Sequence, residues 1–180
     1  MNVGGNNLIK MTALKACFEA QGFRDVTTYI QSGNVLFKAA ATDAAKLTRR
    51  IETALEKQFG YDATVVVRSR KQLKEIVTHA PKGFGQQPTQ YRYDVLFLME
   101  PLTAKAALAA MPVKAGVDEV TAGKGVLYFS RLVSKAAQSH LSRVVSMPIY
   151  KRMTIRNWNT TTKLLHLMEA VELAKTERAP

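Results

Sequence analysis

The chain has 180 residues, 47% of them hydrophobic, and a formal net charge of +12, which suffices for one sizeable core or two small ones and excludes a disordered chain. No apolar run approaches the roughly 18 residues of a membrane span, and the first residues lack the basic head and apolar stretch of a secretory signal, so a cytoplasmic location is expected. A single cysteine, Cys17, excludes an internal disulfide and, at an apolar position of a helical pattern, reads as a small buried hydrophobe.

In chain order, Leu8 to Gln21 predicts a helix, with Met11, Leu14, Cys17 and Phe18 at three- and four-residue spacing and Gly22 as its stop. Asp25 to Ile30 and Asn34 to Ala39 predict strands joined by a hairpin turn at Gln31-Ser32-Gly33. A second helix is expected from Asp43 to Gly60 on the stripe Ala44, Leu47, Ile51, Leu55 and Phe59, followed by a β-branched strand at Ala63 to Arg68. Ser69-Arg70-Lys71-Gln72 is a capping box that opens a short helix to about Thr78. Ala80 to Gln90 holds Pro81, Gly83, Gly85 and Pro88 without periodicity and predicts a linker. Beyond it come a strand at Tyr91 to Met99, a helix at Thr103 to Met111, and strands at Asp118 to Ala122 and Val126 to Arg131. A helix from Ser134 to Ser146, a strand at Lys151 to Arg156 and a last helix from Asn159 to Lys175 complete the chain.

This order predicts an α+β fold of two ferredoxin-like (split βαβ) units in tandem, the first lacking its opening strand, plus a C-terminal helix. The expected domains are 1–79, with its connecting helix, and 91–175, separated by the linker at 80–90.

Three motifs stand apart from this framework. Asn2-Val3-Gly4-Gly5-Asn6-Asn7 sets two glycines before a helix, where backbone N–H groups can form a nest for phosphate or carboxylate; a tight strand-to-helix turn demands the same residues. Gln31-Ser32-Gly33-Asn34 suits a hairpin tip, and its amides and hydroxyl also suit a polar ligand. Arg156-Asn157-Trp158-Asn159-Thr160-Thr161-Thr162-Lys163 joins a strand to a helix, where free N–H groups, two cations and an indole face favour an anion or a base. Asn157 or Asn159 is equally suited to be a simple N-cap, and Trp158 a core anchor. The candidate ligand site therefore comprises Asn2, Gly4, Gly5, Asn6, Gln31, Ser32, Gly33, Asn34, Arg156, Asn157, Trp158, Asn159, Thr160 and Lys163.

These motifs, in this order, resemble the bacterial domain-of-unknown-function family 1697, from the first residue to about Ala170. The resemblance implies no activity. It does imply an extended apolar strand ending in Arg-Gly-Ile ahead of Asn-Val-Gly-Gly, where this chain begins at Met1. A ferredoxin-like sheet holds its first strand centrally, so the expectation is an open slot between two neighbours, or a start at a late internal methionine. The arginine that relatives place before the turn is also absent.

Charge is uneven: residues 1–68 carry 9 Lys/Arg against 6 Asp/Glu, and residues 69–180 carry 17 against 8. Between Val120 and Met168 stand Lys124, Arg131, Lys135, Arg143, Lys151, Arg152, Arg156 and Lys163, with no acid. Such a field favours nucleic acid, a phosphorylated small molecule or another anion, or simply keeps the surface basic. Lys124 to Phe129 and Leu96 to Leu98 fall where RNA-recognition motifs place stacking aromatics, but Val126 and Arg131 replace two expected aromatics, which leaves Phe97 and Tyr128 as core or interface residues. His79, His140 and His166 lack a partner at a telling spacing, and no nucleophile, metal ligand set or cofactor motif is found. The expected function is binding of an anionic ligand, nucleic acid or nucleotide favoured. The alternatives are an enzyme acting on a phosphorylated or carboxylated small molecule, and a protein-interaction module.

Overall fold

The computed structural model of the protein describes residues 9–60 and 62–176. The chain divides into two compact units, Met1–Val67 and Arg68–Pro180, each with its own core. The fold is mixed α+β, with two antiparallel sheets and a C-terminal helix.

In the first unit, helix α1 (Met11–Ala20) buries Leu14, Cys17 and Phe18, the spacing that one helical face requires. Its chain reverses at Gly22, whose φ of +74° is a conformation that glycine adopts without strain. Burial pushes the Cys17 thiol pKa up, in keeping with a packing role. Strands β1 (Arg24–Tyr29) and β2 (Asn34–Lys38) form a hairpin in which Tyr29 faces Asn34 and Thr27 faces Leu36. The register slips between Arg24 and Thr27, where Asp25 has a φ of +53° and pairs with Lys38. Phe18, Phe23 and Phe37 meet at 4.6–5.7 Å between ring centroids at the centre of the core. Helix α2 (Ala44–Phe59) is capped by Asp43, whose carboxylate accepts from the N–H groups of Ala45 and Lys46, and stops at left-handed Gly60.

No strand is assigned at 63–68 among the described residues, although Ala63 and Val65 are buried alternately, as in a strand. The Val65 N–H donates to the Glu52 carboxylate at 2.9 Å. The sheet of this unit has two strands among the described residues.

In the second unit, the Ser69/Gln72 capping box opens α3 (Arg70–Thr78) as the sequence predicts. A four-stranded antiparallel sheet follows, in the order β4 (Asp118–Gly123), β5 (Val126–Leu132), β3 (Tyr91–Leu98), β6 (Met153–Asn157). Strand β3 lies inside the sheet, buried from Tyr93 to Leu98. One sheet face carries Leu96, Leu98, Leu127, Phe129 and Met153, packed with Ala107 and Met111 of α4 (Ala104–Ala110) and its C-cap. Alternation places Tyr91, Tyr93, Val95, Phe97, Tyr128, Ser130, Thr154 and Arg156 on the other face.

The helix expected from Ser134 to Ser146 is broken into a 3-10 turn at Val133–Gln138, an extended Ser139 and a single turn α5 (Leu141–Val144). Buried Asp118 explains the break: its carboxylate, which also accepts from the Lys114 N–H (3.0 Å), accepts from the His140 N–H (2.9 Å) that a continuous helix would have engaged itself. A second 3-10 turn, Pro148–Arg152, delays β6 to Met153. The last helix, α6 (Trp158–Thr176), starts directly at the end of β6. No helix among the described residues is long and apolar enough to cross a membrane.

Candidate functional site

The strand-to-helix junction is held chiefly by Asn157. Its Oδ1 accepts from the N–H of Asn159 at 2.9 Å, capping α6, and its Nδ2 donates to the Tyr93 carbonyl of the neighbouring strand at 3.2 Å. Thr161, fully buried, donates its hydroxyl to the Asn157 carbonyl at 3.1 Å, and Thr162 donates to the carbonyls of Trp158 and Asn159. The density of Asn and Thr here thus serves one compact turn. Thr160 is half-buried, and Asn159 and Lys163 are exposed.

Arg156 lies on the aromatic face of the sheet, opposite Val95. Its guanidinium donates to the Thr154 hydroxyl (2.8 Å) and the Ile155 carbonyl (2.7 Å), and desolvation lowers its pKa despite the raising influence of Tyr150. Trp158 is half-buried and meets Phe84 edge-on at 5.1 Å. Phe84 in turn meets Tyr93 at 4.9 Å and Tyr128 at 5.3 Å, so the proline- and glycine-rich segment at 80–90 is pinned over the sheet. Gly85, φ +85°, lies so close beneath the indole that a Cβ would stand 2.2 Å from Trp158 Nε1. Sequence reading missed Phe84 and Gly85 as partners of Trp158, and the one available signal was an aromatic inside a stretch otherwise typical of a turn.

Gln31, Ser32, Gly33 and Asn34 lie in the first unit, at the tip of the β1–β2 hairpin. Asn34 is buried, and its amide donates to the Tyr29 carbonyl (3.1 Å) and the Ser32 hydroxyl (2.8 Å), closing the turn from within. Gly33 supplies a φ of +70°. Gln31 is exposed. Asn2, Gly4, Gly5 and Asn6 lie outside the described residues.

The acid-free basic stretch separates into internal and external cations. Arg131 is an ion-pair partner of Asp94 at 3.3 Å, Lys124 reaches Glu75 at 3.3 Å, and Arg156 is engaged as above. Asp94 is buried, and desolvation raises its carboxyl pKa against the opposing pull of Arg131 and Arg92. Lys135, Arg143, Lys151, Arg152 and Lys163 remain exposed, and among the described residues none of the five has an acidic partner. Four of them sit on the successive helical turns between β5 and β6, held down by buried Leu141 and Val144 and by partly buried Ile149 and Tyr150.

Phe97 and Tyr128 are 6% and 3% exposed, and the Tyr128 hydroxyl donates to the Ile76 carbonyl at 2.6 Å, so neither presents a ring for base stacking. Burial also raises the Tyr128 phenol pKa. No group of three or more His, Cys, Asp and Glu is placed to hold a metal ion among the described residues.

A family model described as protein of unknown function (DUF1697) matches residues 1–128. None of the curated proteins matches the chain. Among solved structures, the chain is similar to the conserved bacterial protein SP0830 from Streptococcus pneumoniae, with a TM-score of 0.77 and 21% identity, over 94% of this chain and 93% of that one. At that identity the likeness concerns the fold alone.

Proposed function

We propose, for a chain that belongs to the DUF1697 family of proteins of unknown function, that it binds a polyanion, nucleic acid favoured, through the exposed cations of its second unit. The observation that carries this reading is the set Lys135, Arg143, Lys151, Arg152 and Lys163, exposed and without acidic partners in a stretch from Val120 to Met168 that has no carboxylate. Cations that pair internally are lost to a partner, whereas these five keep their full attraction for phosphate. The well-packed turns beneath four of them limit the ordering cost of binding. Of the residues in the α6 signature, Lys163 belongs to this contact set, while Arg156 and Asn157 shape the junction behind it.

The strand order of the second unit supports reading it as a ferredoxin-like, split βαβ domain, since β3, the first strand, lies between β5 and β6 and all its pairings are antiparallel. The β1–β2 hairpin and flanking helices of the first unit follow the same element order without the opening strand.

Titration of labelled single- and double-stranded oligonucleotides between about 50 and 200 mM salt tests the proposal. Five phosphate contacts on a duplex give a log–log salt slope near about −4.5, and each cation removed reduces its magnitude by about 0.9. A Lys151→Ala, Arg152→Ala variant is therefore expected to bind more weakly and with a shallower slope. Absence of binding at the low-salt end, or an unchanged slope in that variant, overturns the proposal.

A further inference from the structure

The second unit holds a pocket that none of the signature residues lines. Its volume is about 260 Å³, and it opens where the 80–90 segment crosses the aromatic face of the sheet. Phe84, Tyr91, Tyr93 and Tyr128 form its aromatic walls, Ser130 lies within it, and Glu119, Thr121 and Lys82 stand around it. The walls are braced: Phe84 meets Tyr93 and Tyr128 edge-on, and Tyr91 meets Tyr93 at 6.0 Å. The Tyr128 hydroxyl is already committed to the Ile76 carbonyl.

Tyr93 and Ser130 are different. They are direct cross-strand partners on β3 and β5, only 8% and 7% exposed, and both line the pocket. Among the described residues, neither side-chain hydroxyl has a hydrogen-bond partner. Neither oxygen is among the enclosed polar atoms that lack a partner, so both hydroxyls open to the pocket and are available there to a polar ligand.

We propose that this pocket is a binding site for a small planar heteroaromatic ring of the nucleobase class. Phe84 and Tyr91, the half-buried rings of the wall, offer faces to a flat π-system, and the two hydroxyls, each able to donate and accept, suit a ring edge that carries both donors and acceptors. The single carboxylate of Glu119 and the single ammonium of Lys82 balance each other, which disfavours a ligand of strong net charge. A volume below the usual range of about 300–1,000 Å³ for drug-sized ligands selects one or two fused rings. Its walls lie on the sheet face opposite Leu96, Leu127 and Phe129, against whose cluster α5, the helix of Arg143, packs.

Saturation-transfer NMR on the full chain, with adenine, guanine, cytosine and uracil as separate probes and benzyltrimethylammonium as the cationic comparison, tests it. At least one base is expected to bind saturably, with an affinity of about millimolar or tighter. Tyr93→Phe and Ser130→Ala each remove only a hydroxyl, and each is expected to weaken that base by about two- to tenfold without lowering the melting temperature. No saturable binding of any base overturns the proposal, as does binding that both variants leave unchanged. Tighter binding of benzyltrimethylammonium than of every base also overturns it, since the rings would then serve as a cation cage.

Discussion

The two faces of the four-stranded sheet are made from alternate residues of the same strands, yet they are finished differently. One face sets Leu96, Leu98, Leu127, Phe129 and Met153 against α4 and α5, with the buried Asp94–Arg131 ion pair at its edge. The other sets tyrosines, a serine and a threonine beneath an irregular segment, with a cavity of about 260 Å³ at its edge. Period-two alternation makes such a division possible. The aliphatic face supplies most of the core, and the aromatic face carries both polar groups that the fold uses, such as the Tyr128 hydroxyl, and polar groups that open to the pocket.

Breaking the aliphatic face has the largest expected effect. Phe129 is fully buried at its centre, and Phe129→Ala is expected to lower the unfolding free energy by about 3–5 kcal/mol in urea titration, through lost transfer energy and a residual cavity. A small loss would show that this face is not the main core.

The cover of the aromatic face is tested by two glycines that differ in one respect. Gly83 (φ +83°) and Gly85 (φ +85°) share a left-handed backbone, but a Cβ on Gly83 meets nothing within 4 Å, whereas one on Gly85 runs into the Trp158 ring. Gly83→Ala is expected to cost roughly 1–2 kcal/mol of backbone strain alone. Gly85→Ala adds overpacking of about 1–3 kcal/mol and alone is expected to shift Trp158 emission, because the indole must leave Phe84. Equal losses with unchanged emission would mean that the indole does not anchor the segment.

Asn157→Ala removes the α6 cap and is expected to cost about 1 kcal/mol in thermal or urea unfolding. Loss of its second bond, to the Tyr93 carbonyl, also loosens β6 from β3. A neutral result would require another residue to take over the cap.

What the sequence made legible was local. The helix start at Asp43, the Ser69 capping box, the Gln31-Ser32-Gly33 turn and the glycine stops at 22 and 60 act over a few residues, and the structure carries each of them. The misses arise from distant partners. Asp118 breaks a plausible helix at His140, 22 residues away. The α6 signature was visible as a dense polar cluster, but its roles depended on Tyr93 and Phe84, which no spacing rule connects to it. The pocket left only a faint trace: Tyr91, Tyr93 and Tyr128, Ser130 fall at alternate positions of strands whose other face is aliphatic. Polar aromatics at period two on a buried strand are a signal that hydrophobicity alone does not separate from core.

The smallest expected effect gives the sharpest test of the two finishes, because it compares the same atom on neighbouring strands. Tyr128 and Tyr93 sit on one face, both more than nine-tenths buried, and each ends in a phenol hydroxyl. The Tyr128 hydroxyl donates to the Ile76 carbonyl of α3 at 2.6 Å, so Tyr128→Phe strands a buried acceptor and is expected to cost about 1 kcal/mol. The Tyr93 hydroxyl has no partner among the described residues, so Tyr93→Phe removes no bond from the fold and is expected to stay within about 0.5 kcal/mol of the parent. Paired urea titrations with equal m-values measure the difference directly. If Tyr93→Phe proves as costly as Tyr128→Phe, its hydroxyl is satisfied within the fold and has nothing left to offer a ligand. If the two separate as expected, one tyrosine holds α3 to the sheet while the other keeps its hydroxyl for the pocket.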